Sequence, residues 1–158
     1  MERKKLIVAA AVFAGAFAIY LLALWRPERQ VRLHQENLLR SIEKRDWERF
    51  ARFLADDYSD RWGHDKEFVL SESRQVFRQF LFLNIRHELR DIEVEDDRGM
   101  VAASITLEGT GGPLAELAKA HVNQLPGTFT FRWRHVGWKP WEWVLVEVNH
   151  PALDLREM

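Results

Sequence analysis

Polar and apolar positions along this chain fall into three regimes. Residues 6–25 carry no charge. Residues 31–81 carry apolar side chains at helical spacing, and from residue 82 onward the dominant period is two. In residues 31–44, Val31, Leu38, Leu39 and Ile42 form a modest stripe among charges, which predicts an amphipathic helix. Asp46 reads as an N-cap. Trp47, Phe50, Ala51 and Leu54 follow at i, i+3, i+4 and i+7, one helical face. Asp56 to Asp60 breaks that period, leaving a short strand or an irregular turn around Tyr58 to Trp62, and Gly63 closes it. Asp65 caps a third helix through residue 81, with Val69, Val76, Phe77 and Phe80 on one face.

The remainder reads as sheet. Leu83, Ile85, His87 and Leu89 alternate in one phase, and Ile92 and Val94 in the other. A one-residue slip without a turn residue predicts a bulge near Arg90 and Asp91, and so a bent strand. Asp96, Asp97, Arg98 and Gly99 make a hairpin turn, and Val101, Ala103, Ile105 and Leu107 return. Residues 109–127 interrupt with glycines, Pro113, a brief helical pattern through Leu114, Leu117, Ala118 and His121, then Pro126 and Gly127. Phe129, Phe131, Trp133 and His135 alternate with polar residues. The strand from 141 to 149 is apolar on both faces, which places it at the centre of a sheet.

The charge-free run changes the setting. At about 1.5 Å per residue it makes a helix roughly 30 Å long, the thickness of a bilayer core. Bulky residues at Leu22, Leu24 and Trp25 stand where a signal peptidase needs small ones, which favours an uncleaved anchor over a cleaved secretory signal. Arg3, Lys4 and Lys5 favour an N-terminus kept inside, although Arg26, Arg29 and Arg32 weaken the asymmetry. The expected setting is a single-pass protein of a bacterial inner membrane, with its C-terminal domain outside the cytoplasm. The domain boundaries follow: 1–30 for the basic start, anchor and short polar linker, 31–150 for one domain, and 151–158 for a tail.

Composition narrows the chemistry. Residues 31–158 hold 18 Lys and Arg against 22 Asp and Glu, with no basic patch, which argues against nucleic acid. The chain has no cysteine, so disulfides, thiolate metal sites and a cysteine nucleophile are excluded. Six histidines are scattered without ligand spacing, and no metal or cofactor is expected. Gly109, Thr110, Gly111 and Gly112 lack the Lys-Ser/Thr of a phosphate loop. Arg132 and Arg134 share a strand face opposite Trp133 and read as a solvated outer surface.

Three helices followed by a bent antiparallel sheet is an α+β pattern. Asp46 to Phe50, the helix from 65, and the strands ending in Gly137, Trp138, Lys139, Pro140, Trp141, Glu142, Trp143 and Val144 resemble the nuclear-transport-factor-2-like superfamily, the cystatin-like cone fold. The resemblance covers nearly all of residues 31–150. It implies a sheet curled around a long helix, enclosing a cone. By phase, the candidates lining such a cone are His87 and Leu89, Ile105 and Leu107, and Phe129, Phe131, Trp133 and His135. The expected pocket is mostly apolar, with His87 and His135 on its wall to orient a ligand. His121 is expected at the surface, and Tyr58, Asp91 and Glu108 pair with nothing at a defensible spacing.

Two functions compete. One is a membrane-tethered, non-catalytic module. It would bind a small apolar ligand, a protein partner, or a second copy through the sheet. Cone domains behind a single anchor resemble periplasmic assembly subunits of type IV secretion systems and outer domains of some cell-wall proteins. The other is an acid/base enzyme of the isomerase, dehydratase or cyclase kind. A buried carboxylate or histidine facing a closed cavity would favour the enzyme, and a cone filled by Phe129, Phe131 and Trp133 the module.

Overall fold

A computed structural model describes the backbone of residues 2–152 and the side chains of residues 10–23 and 25–152. Helix α1 runs Glu2–Leu24, and α2 follows almost at once at Pro27–Glu43. The expected linker at 27–30 is instead the first turn of α2. Pro27 occupies N1, where its missing N–H costs no hydrogen bond, and Gln30 and Val31 are already buried. Among the described residues no single helix is long and apolar enough to cross a membrane. Ala10–Ala23 passes only together with α2, bent by 64°. Residues 6–9 and 24 of the expected anchor lie outside the described side chains, and the remaining stretch falls short of the ~20 residues a span needs. The expected tail lies outside the described residues beyond 152.

The next two helices begin where capping chemistry places them. In α3, Trp47–Phe53, the Asp46 carboxylate accepts from Arg49 N at 3.1 Å. In α4, Lys66–Phe77, Asp65 accepts from Phe68 N at 2.9 Å. Each satisfies a main-chain donor that the first turn leaves free. Between α2 and α3 the chain turns at Arg45, with φ of 55°. Arg45 N donates to Ile42 O and Asp46 N to Ser41 O, closing the last carbonyls of α2. The Arg45 guanidinium reaches Phe77 O and Phe80 O, tying the end of α2 to the corner between α4 and the sheet.

The sheet has four antiparallel strands in the order β1 (Phe80–Glu95), β2 (Arg98–Gly111), β3 (Phe129–His135), β4 (Trp143–Asn149). Leu89 pairs with Ala103 and Asp91 with Ala102, so Arg90 is the extra residue of a bulge at the predicted slip. Leu89 and Ile92 can therefore share the inner face across the bend. Asp96, with φ of 51°, and Asp97 form the β1–β2 turn. Gly99 belongs to β2. A Cβ there would meet Val31 Cγ2 at 2.9 Å, so the glycine lets α2 approach the strand.

β4 is an edge strand of this sheet, not the central one its pattern predicts. The chain between α3 and α4 covers its open side. Leu54 bridges to Leu145 in parallel, Ala55 N donates to Leu145 O, and Ser59 N to Val146 O. That cover buries a strand that an exposed edge would have kept polar. In the 109–127 segment, α5 (Pro113–Gln124) packs against β2, with Asn123 bonded to both N and O of Leu107 at 2.8 and 2.9 Å.

The core has two parts. The larger joins Val31, Leu38, Phe50, Leu54 and Tyr58 to Val101, Ala103, Phe131, Trp133, Trp143 and Leu145. The smaller joins Leu39, Phe80, Leu83, Ile85, Leu107 and Ala115 under α5.

Candidate functional site

Six of the eight residues expected around the cone belong to these two parts of the core, and the two histidines belong to neither. Phe131 and Trp133 are buried at the heart of the larger one, with Leu89, Ile105 and Phe129 half-buried against it. Leu107 belongs to the smaller one. His87 pairs with Ile105 and keeps the phase of Ile85, but its side chain is exposed. His135 is half-buried, its Nε2 donating to Lys139 O at 2.7 Å and its ring 5.1 Å from that of Trp143.

The concave space is occupied from the helical side. Trp133, 1% exposed, donates from Nε1 to Gln35 Oε1 at 3.1 Å. The His34 ring meets Trp133 edge-on at 5.9 Å and Phe53 at 5.8 Å, and Phe53 meets Trp133 at 6.4 Å. These contacts use the edge-to-face geometry that aromatic rings favour.

A cleft of about 650 Å³ opens beside this cluster, between α2, α3 and the turn from β3 to β4. Its lining is His34, Phe53, Trp141, Trp143, Val136, Gly137 and Val144, with Arg49, Arg52 and Glu142 as its charged members. None of the eight expected residues lines it. Trp141 is 51% exposed. His34 Nδ1 donates to Gln30 O at 2.8 Å. Burial holds the His34 imidazole below its ordinary pKa, opposed by main-chain hydrogen bonds to Gln30 and Trp141. It is thus a neutral ring near neutral pH. Arg49 contacts Asn37 Oδ1 at 3.3 Å, and Glu142 accepts from Lys139 N at 3.3 Å, with Lys139 Nζ 3.6 Å away. The arrangement offers an aromatic floor, one neutral imidazole and two guanidinium groups. It suits an apolar body with an acidic or acceptor end.

His34 was legible. Val31, His34, Gln35 and Leu38 fall at i, i+3, i+4 and i+7, so admitting polar residues to the stripe puts both His34 and Gln35 on the buried face of α2.

A second titratable group lies on the α3–α4 connection. Asp60 Oδ1 accepts from Trp62 N and His64 N, and Oδ2 from His64 Nδ1, each at 2.9 Å. The His64 ring stacks on Phe68 at 4.2 Å. Burial, reinforced by Asp60, drives the nearby Tyr58 hydroxyl far above its ordinary pKa. This knot fixes the connection that covers β4.

Compared by sequence, the chain matches no protein-family model and no curated protein. Solved structures resemble it. Bd1075 of Bdellovibrio bacteriovorus superposes with a TM-score of 0.60 at 12% identity, over 80% of this chain and 41% of its own, so the chain spans less than half of that protein. A conserved protein from Planctomyces limnophilus gives 0.58 at 17% identity, over 77% of this chain and 91% of its own. An NTF2-like protein from Cytophaga hutchinsonii gives 0.53 at 18% identity, over 80% and 98%. At these identities the likeness is one of architecture, and the architecture is the nuclear-transport-factor-2-like, cystatin-like α+β cone.

Proposed function

We propose that this chain is a membrane-tethered cone domain acting as a non-catalytic binding module, with the His34–Trp141 cleft as its binding surface. The observation that carries this reading is the filled cone. Phe131, Trp133, Trp143 and Leu145 form one buried cluster with Val31, Leu38, Phe50 and Leu54. An acid/base reaction inside the cone needs an enclosed volume for substrate, and this interior is occupied by the protein's own side chains. The cleft beside it is open and braced, which suits holding a ligand or a partner segment. The tether is supported by α1, whose side chains from residue 10 to residue 20 are all exposed: Phe13 is 75% exposed and Ile19 68%. An apolar surface of that kind belongs in lipid or against a partner.

The enzymatic alternative rests on His34, a neutral imidazole that could act as a base. Glu142, the carboxylate of the same lining, is engaged by Lys139 and gives His34 no acid partner.

The test is native mass spectrometry of the full chain extracted from the host envelope. A bound small molecule or protein should appear on the parent chain and be reduced at least tenfold in a His34→Ala, Arg52→Ala double variant. Retention of the bound species at parent levels would remove the cleft from the reading. Release of the chain by alkaline carbonate would remove the tether.

A further inference from the structure

We propose that the turn between β3 and β4 is a membrane-interface foot, resting in the lipid headgroup layer beside α1. This rests on the tether reading, and it adds a second, non-helical contact with the bilayer.

β3 ends at His135 and β4 begins at Trp143, so residues 136–142 form the turn. It lies at the end of the domain where α2 starts. Val31, one turn into α2, packs against Gly99, and the Trp143 ring lies against the same glycine. His34 lies against the main chain of Trp141, about 10 Å along the axis from Pro27. Only Trp25 and Arg26 separate α1 from α2. A bilayer holding α1 therefore has this end of the domain at its surface, with no spacer to lift it away.

Composition fits that place. Trp138 is 84% exposed, and Val136 and Trp141 are exposed beside it. Lys139 Nζ lies 5.8 Å from the centroid of the Trp138 ring. Arg26, just before α2, and Arg29 and Arg32, on its first turns, are exposed. Tryptophan with lysine or arginine is the pairing that settles at headgroup level, the ring in the acyl boundary and the cation in the phosphate layer. The exposure is enforced. Val136 N donates to Glu142 O at 2.7 Å, His135 Nε2 to Lys139 O, and Trp143 Nε1 to Pro140 O at 3.0 Å. A turn braced from three sides cannot fold Trp138 inward. The neighbouring β1–β2 turn carries Asp96 and Asp97, which offset part of that positive charge. The foot therefore enters uncharged lipid through the Trp138 ring, and the cations add attraction where the lipid is anionic.

The natural absence of cysteine allows a direct test. The full chain carrying Phe17→Cys, Trp138→Cys or Leu117→Cys is spin-labelled and reconstituted into phosphatidylcholine vesicles. Collisions with oxygen and with a water-soluble nickel chelate report depth. Leu117 is exposed on α5, at the opposite end of the sheet. The expected order is position 17 deep in lipid, position 138 at headgroup depth and position 117 in water. In the otherwise unmodified chain, Trp138→Phe should also remove part of the tryptophan quenching by a shallow brominated lipid. Position 17 in lipid with 138 in water overturns the foot and leaves the tether. Positions 17 and 138 both in water overturn both. Position 138 at headgroup depth with 17 in water removes the tether and, with it, the placement of the foot beside α1. A label at 138 shielded from both probes marks a protein partner there and overturns the proposal.

Discussion

The two ends of this sheet are built on opposite plans. At the end where β1 begins, α5 and the α2–α3 corner close tightly on the strands. A Cβ on Gly111 would meet that of Ala115 at 2.7 Å, Asn123 bonds both main-chain groups of Leu107, and Arg45 ties Phe77 and Phe80 to α2. At the end where α2 begins, the β3–β4 turn is equally well bonded, yet it holds two indoles away from the core. Hydrogen bonding therefore does not distinguish a sealed end from a displaying one. What distinguishes them is whether an apolar element is laid over the side chains that the bonded backbone presents.

That contrast can be broken by unfolding measurements on the full chain in detergent. Phe80→Ala, at the closed end, should cost roughly 3–5 kcal/mol, because a large buried ring leaves a cavity that the close-fitting neighbours cannot fill. A cost below about 1 kcal/mol would show that the closed end is loosely packed. Asn123→Ala should cost about 1–3 kcal/mol, since the N–H and C=O of Leu107 both lose their partner. The effect at His34 is a slope. Its folded pKa is depressed by burial, so between 6.5 and that lower value the unfolded chain binds more protons than the folded one. Stability contributed by the neutral ring is complete above pH 6.5 and is lost as pH falls through that window. Denaturation midpoints from pH 7.5 to 5.5 should decline, and less steeply in His34→Gln. His150, also depressed by burial, retains the remainder. Smallest of all, Trp138→Ala should change stability by less than about 0.5 kcal/mol. A larger loss would mean that the turn is part of the core, and the contrast between the ends would fail.

Much of this architecture was legible in the residues. Asp46 and Asp65 announce their helices because an acceptor before an apolar stripe has one cheap use. The slip between Leu89 and Ile92 announces the bulge because a period of two admits no other way to keep both inside. The position of β4 was misread for an equally physical reason. Of its cover, residues 54–59, Leu54 reads as the end of a helical face and Asp56 to Asp60 as a break in period, so nothing in those residues alone announces that they shield an edge. The cleft was harder still. Arg49, His34 and Trp141 come from three elements that meet only in the folded chain. Strand phase alone leaves the cone either filled by its rings or walled into a small pocket, and Trp133 with the residues of α2 and α3 fills it.

The bulge at Arg90 has a consequence for how this sheet could change in length. Removing Arg90 alone would restore strict alternation. Leu89 and Ile92 would still face inward, every cross-strand partner from Phe82 to Glu95 would be kept, and only the extra residue that bends the strand would be gone. Curvature here is thus encoded by a single deletable residue, separable from composition. A deletion of one residue at this point would flatten the concave side, whereas the same event two residues away would put the residues between it and the bulge on the wrong face.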